Sequence, residues 1–148
     1  MTTIYLGLGS NLGEREHNLS HALMRLAPAI IVKKKSAVYE TEPMYIRNQP
    51  KFLNMVCEAT TELSTQEVFR KIKSVESVMG EHEHNGPRII DIDLLFYGND
   101  IIDTPNLIVP HPKLVERGFV LIPLSDIAPD FVHPVYGATI KELRDRLA

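Results

Sequence analysis

The sequence predicts an α+β protein, a ferredoxin-like βαββαβ sandwich extended by a C-terminal hairpin and helices. Three observations support this. Strand-like and helix-like stretches follow one another in the order β-α-β-β-α-β. Two strand segments, 52–59 and 90–96, alternate with period two, and two helical segments carry apolar residues at helical spacing. The 148 residues suit one domain with one well-formed core, spanning 1–148.

"TIYLGLG" opens the chain as a strand with Ile4, Leu6 and Leu8 on one face. "GSNLGEREHNLSHALMRLA" turns into a helix carrying Leu19, Ala22, Leu23 and Leu26, begun by Ser10 or Asn11 and closed by Pro28. "IIVKKKSAVYETEP" reads as a second strand ending before Pro43, its lysines 33–35 a solvated edge that blunts aggregation. "MYIRNQP" is a polar loop bounded by prolines. In "KFLNMVCEATTEL", Leu53, Met55, Cys57 and Ala59 share one face, and Phe52, Asn54, Val56 and Glu58 the other. The next helix opens with a capping box, Ser64 to Glu67, and ends at Gly80, with Val68, Ile72, Val75 and Met79 as its core stripe. After the loop "EHEHN" comes the strand "RIIDIDLLFY", then "YGNDIID", whose Gly-Asn pair suggests a hairpin turn. The tail holds a proline-marked loop, "IVPHPK", a helix near "LVERGFVLIPLSDI" and a last surface helix, "ATIKELRDRLA". The first two helices are expected to cover one sheet face, leaving the other to loops.

Composition excludes several classes. A formal charge of −3 argues against a general nucleic-acid binder. Cys57 is the single cysteine, so no internal disulfide or cysteine zinc cage can form. The start lacks the order of a secretory signal, and the apolar runs fall short of the ~20 residues that span a bilayer. The expectation is a cytoplasmic, monomeric enzyme or binding module with no membrane partner.

"GPRIIDIDLLFY" carries the chemistry. Residues two apart on a strand point the same way, about 7 Å apart, so Ile90, Ile92, Leu94 and Phe96 form one apolar face beneath the helices. Asp91 and Asp93 stand side by side on the other. Two carboxylates so placed repel each other and call for a cation. Arginine could serve, or a hard metal such as Mg²⁺, which binds phosphates alongside one or two carboxylates. Arg88 can join them only if Gly86-Pro87 keeps it in the loop, before regular pairing begins. His111, held between Pro110 and Pro112, and Arg117, one step before Gly118, lie further along; taken singly, a rigid surface turn and a helix-surface charge account for them. Phe52 and Asn54 face away from their strand's apolar row, as the aspartates do on theirs, and taken alone they read as an ordinary half-exposed strand face.

"HNGPRIIDIDLL", with "YLGLGSNLG", "YETEPM", "NQPKFLN" and "VPHPKLVERGFVLIPLSDIAP", resembles the 6-hydroxymethyl-7,8-dihydropterin pyrophosphokinase family across nearly the whole chain. The resemblance implies transfer of pyrophosphate from ATP to the pterin alcohol in folate biosynthesis, giving AMP and the pterin diphosphate. It implies that Asp91 and Asp93 bind two Mg²⁺ ions, that Asn54 bonds the pterin, and that Thr41, Glu42 and Met44 line its pocket. Phe52 and Phe119 would sandwich the ring. Arg88, His111 and Arg117 would hold the triphosphate, with Lys73, Glu76 and Leu94 near the nucleotide. "GLGSNLG", otherwise a tight turn, would lie beside the pterin.

The sequence departs from the family between Gly80 and Gly86, where members commonly carry a longer, arginine-rich loop over ATP. Here Glu81 and Glu83 would repel a triphosphate, and His82 and His84 help only when protonated. The competing readings are a non-catalytic pterin- or nucleotide-binding module, and a different metal-dependent phosphotransferase. A zinc site on His82 and His84, joined by His111 or His133, matches no strong spacing pattern.

Overall fold

A computed structural model describes residues 1–42, 48–80 and 87–147. The elements run β1 (Thr2–Ser10), α1 (Arg15–Leu26), β2 (Ile30–Lys35), β3 (Tyr39–Thr41), β4 (Phe52–Thr61), α2 (Thr65–Met79) and β5 (Asp91–Tyr97). A small ribbon of β6 (Ile102–Thr104) and β7 (Leu107–Val109) follows, then a 3-10 turn (Leu114–Glu116), α3 (Gly118–Ile127) and α4 (Ile140–Arg146).

The main sheet has the order β2-β4-β1-β5, every pairing antiparallel. β2 and β3 are separate strands, both on β4: Ile30–Lys35 lie against 57–61 and Tyr39–Thr41 against 52–54. Ser36 makes the break, since its N–H donates to the Val56 carbonyl (2.9 Å) while its Oγ accepts the Val56 N–H (2.9 Å). Lys33, Lys34 and Lys35 are exposed on the edge strand β2, as expected.

One face of the sheet packs under α1 and α2. Ile4, Leu6 and Leu8 of β1, Met55 and Cys57 of β4, and Ile90, Ile92 and Leu94 meet Leu19, Leu26, Val68 and Ile72. Full burial of each such side chain is worth ~1.5–3 kcal/mol. The capping box forms as predicted: Ser64 Oγ accepts the Glu67 N–H (3.2 Å), and Glu67 Oε1 accepts the Ser64 N–H (2.9 Å).

Four expectations change. The far end of the opposite sheet face is covered by α3 and α4 rather than loops, through a second core of Tyr5, Val56, Leu95 and Phe96 against Leu114, Leu121, Leu124 and Ile140. Phe96 therefore does not share the face of Ile90, Ile92 and Leu94. A register shift opposite Tyr5 and Leu6 leaves Leu95 without a partner on β1, and this bulge reverses the alternation. The turn at Gly98-Asn99 forms, closed by the Asp100 N–H on the Tyr97 carbonyl (3.0 Å), but the strand after it pairs β7 instead of β5. Finally, α1 starts at Arg15 with no side-chain cap, because Asn11 is spent elsewhere.

Candidate active site

β1, in the middle of the site, bears glycine where its neighbours bear function. Gly9 lies opposite Asn54 on one side and Asp91 on the other; Gly7 lies opposite Val56 and Asp93. The two glycines leave a trough between the amide strand and the carboxylate strand. A Cβ on Gly9 would stand 2.9 Å from Asn54 Oδ1 and 3.4 Å from Phe52, so only glycine lets Asn54 lie there undisturbed. Neither glycine is in a turn, since β1 runs through Ser10.

Above the trough lies a cavity of about 430 Å³. It is bordered by Thr41, Glu42, Phe52 and Asn54 on one wall, Arg88, Asp91 and Asp93 on another, and His111, Arg117 and Phe119 on the third. Ten of the expected site residues thus come together. Met44, His82 and His84 lie outside the described residues. Asn54 is buried and its Nδ2 donates to Thr41 Oγ1, which turns Oδ1 toward Gly9.

Arg88 precedes β5, in the loop, and its Nη1 lies 3.3 Å from Asp91 Oδ1. That placement depends on Asn11, which local pattern could not reveal because its partners are remote. Asn11 Oδ1 accepts the Arg88 N–H (2.8 Å), its own N–H donates to the Arg88 carbonyl (3.1 Å), and its Nδ2 donates to Gln49 Oε1 (2.8 Å) and the Pro50 carbonyl (3.0 Å). A single buried amide therefore ties the loops on either side of the cavity.

Asp93 remains 37 % exposed to the cavity yet is hemmed in by protein. Desolvation and the Asp91 charge push its pKa up to about 7. His111 is fixed at its backbone, its N–H donating to the carbonyl of the bulge residue Leu95 (3.1 Å). Its Nδ1 accepts the Lys113 N–H (3.3 Å), so in the neutral ring Nε2 carries the proton, facing Asp93 Oδ1 at 4.0 Å. Burial, then Arg117, lower its pKa to about 4, so it is a neutral donor at pH 7. The Arg117 guanidinium sits 5.5 Å from the Phe119 ring centroid, and its buried Nε has no hydrogen-bond partner among the described residues. An orphaned donor beside an open cavity is one a ligand can satisfy.

A second depression, about 290 Å³, shares Asp93 and His111 with the first and is lined by Lys73, Leu94, Leu107 and Ile108. Glu76 lines neither cavity. Its Oε2 accepts the Ile92 N–H (2.9 Å) on the outer edge of β5, and its Oε1 pairs with Lys73 Nζ at 3.2 Å. Among the described residues no group of three or more His, Cys, Asp or Glu is arranged to hold a metal. His133 is packed against Phe96 and Tyr136 and accepts backbone N–H groups at Nδ1. The Asp91–Asp93 pair fits a cation completed by ligand oxygens and water instead. No helix among the described residues is long and apolar enough to cross a membrane.

Residues 5–129 match the sequence profile of a family described as 7,8-dihydro-6-hydroxymethylpterin-pyrophosphokinase. A 2-amino-4-hydroxy-6-hydroxymethyldihydropteridine pyrophosphokinase of Aquifex aeolicus is 44% identical over 97% of this chain and 91% of its own length. A folic acid synthesis protein of Dictyostelium discoideum is 42% identical over 95% of this chain, which spans only 22% of that longer protein. Among solved structures, HPPK-DHPS of Plasmodium falciparum with pteroate superposes with a TM-score of 0.83. That match covers 98% of this chain and 44% of the other at 17% identity, a likeness of fold.

Proposed function

The chain belongs to the 7,8-dihydro-6-hydroxymethylpterin-pyrophosphokinase family, and from that premise we propose that it transfers pyrophosphate from ATP to 6-hydroxymethyl-7,8-dihydropterin in folate biosynthesis. The products are AMP and the pterin diphosphate. The observation that carries this reading is the trough itself: Asn54 and Asp91 flank the same glycine, so ring recognition and phosphate chemistry border one cavity.

The pterin lies over Gly7 and Gly9, between Phe52 and Phe119, its polar edge toward Asn54, Thr41 and Glu42. Asn54 Oδ1, turned toward Gly9 by the Nδ2 bond to Thr41, accepts from the ring. The adenosine end takes the second depression, against Leu94 and Lys73, with Glu76 holding Lys73 and the β5 edge. The triphosphate then crosses at Asp93 and His111, which border both cavities.

Asp91 and Asp93 would hold two Mg²⁺ ions, which would supply neutralisation of the charge at the transferred group. The chain's own donors do the positioning. Arg117 Nε is a donor left unfilled among the described residues, Arg88 stands at the mouth of β5, and neutral His111 offers Nε2–H without adding charge. Alignment and electrostatics suffice for such a transfer, and no general base is assigned. The scaffold is read as ferredoxin-like, supported by the order β2-β4-β1-β5 and the helical crossovers, and the protein as a cytoplasmic monomer. The test is AMP formation from Mg-ATP with and without the pterin alcohol, resolving AMP from ADP. Pterin-dependent AMP is the expected outcome; ADP as the product, or AMP indifferent to pterin, would overturn the assignment.

A further inference from the structure

We infer that Lys113 is an additional substrate-binding residue of this site, its ammonium taking a phosphate oxygen of the nucleotide on the His111 side of the cavity. The inference rests on the pyrophosphokinase reading and deepens it. Three cationic side chains line the main cavity: Arg88, Lys113 and Arg117. Arg88 faces Asp91 and Arg117 lies over Phe119, whereas the Lys113 ammonium makes no ion pair or hydrogen bond among the described residues.

The root of Lys113 is fixed even though its stem is long. Its N–H is held by His111 Nδ1 (3.3 Å), its carbonyl accepts the Glu116 N–H (3.0 Å), and His111 is itself tied to the Leu95 carbonyl. An amine anchored beside the histidine that borders both cavities is therefore within reach of whatever anion bridges them. The chain also has reason to need it. Residues 80–86, "GEHEHNG", contain two glutamates and neither arginine nor lysine, so this stretch brings no permanent cation to a triphosphate. Lys113 supplies one.

The experiment is steady-state kinetics on wild type, Lys113→Gln and Lys113→Arg, with ATP and pterin varied separately. Lys113→Gln is expected to raise the KM for Mg-ATP about five- to thirtyfold, the range for one charge contact at a partly exposed site. The KM for pterin should stay within about twofold, the salt dependence of the ATP KM should flatten, and Lys113→Arg should restore most of the loss. An unchanged ATP KM in Lys113→Gln, or an equal rise for both substrates, overturns the inference. If wild type forms no pterin-dependent AMP, the functional reading is what fails. Lys113 is then judged by calorimetric titration with inorganic tripolyphosphate and Mg²⁺: weaker binding by Lys113→Gln than wild type sustains the inference, and equal or undetectable binding by both overturns it.

Discussion

Replacing Gly7 by alanine separates the fold from the site. The nearest neighbour of a Cβ at this position would be the Leu95 side chain, at 3.6 Å, which is ordinary contact, and the strand conformation suits alanine. The folded protein should therefore tolerate the methyl, and removing a glycine's freedom from the unfolded chain should add ~0.4–1 kcal/mol of stability. The same methyl projects into the trough between Val56 and Asp93, where the proposed ring lies. Overpacking a fitted contact costs ~1–3 kcal/mol, so pterin binding should weaken by roughly 5- to 150-fold. Urea denaturation measures the first effect, and the KM for pterin or a fluorescence titration of the pterin measures the second. A Gly7→Ala protein of unchanged pterin affinity would show that the ligand does not lie over β1. Gly9→Ala is the contrasting variant: its Cβ at 2.9 Å from Asn54 Oδ1 should displace the amide and harm both properties.

Asp93→Ala should abolish turnover without unfolding the protein, because it removes one of two mutually repelling carboxylates; loss of the folded signal on thermal melting would instead mean that Asp93 holds the sheet together. Asn11→Ala should lower kcat at least tenfold while leaving α1 intact, since it frees both Arg88 and the Gln49 loop, and circular dichroism would detect helix loss if Asn11 acted as a cap after all. Burial lowers the His133 and His111 pKa values, so between about pH 4 and 6.5 the unfolded chain binds more protons than the folded one, and stability should fall as pH drops through that window. His133→Asn, which keeps an acceptor for the N–H groups of Val135 and Tyr136, should flatten part of that slope in urea titrations across pH. Cys57, fully buried with its thiol pushed up to about 12, should resist thiol reagents until the protein unfolds; rapid native labelling would contradict the packing of β4.

The carboxylate pair and the Phe52–Asn54 pair were legible because each sits in a strand whose other face is continuously apolar, so parity alone separates core from cavity. Parity fails at "LLF", residues 94–96: with every residue apolar there is no alternation to reveal a bulge, and strict alternation puts Phe96 on the wrong face. Asn11 looked like a helix cap because asparagine after a strand usually acts locally. Its partners are Arg88 and Gln49, 77 and 38 residues away, and no pattern in a short window encodes them. The role of the glycines in β1 needed the register, since a glycine is informative only once its neighbours across the sheet are known. The position of Arg88 likewise depends on where β5 begins: the strand starts at Asp91, which leaves Arg88 in the loop.

The bulge at Leu95 joins two things that look unrelated. Before it, β5 turns its carboxylates to the cavity; after it, Phe96 turns to the second core, and the Leu95 carbonyl receives the His111 N–H. What this stretch must preserve is thus a count of residues. Deleting Leu95 would let β5 pair regularly with Phe96 still opposite Tyr5, but would take Leu95 out of the second core and remove the carbonyl that receives the His111 N–H, while exchanging it for another aliphatic residue would leave the geometry alone. In the lineage of this chain, natural variation at this point should show side chains that drift and a length that does not.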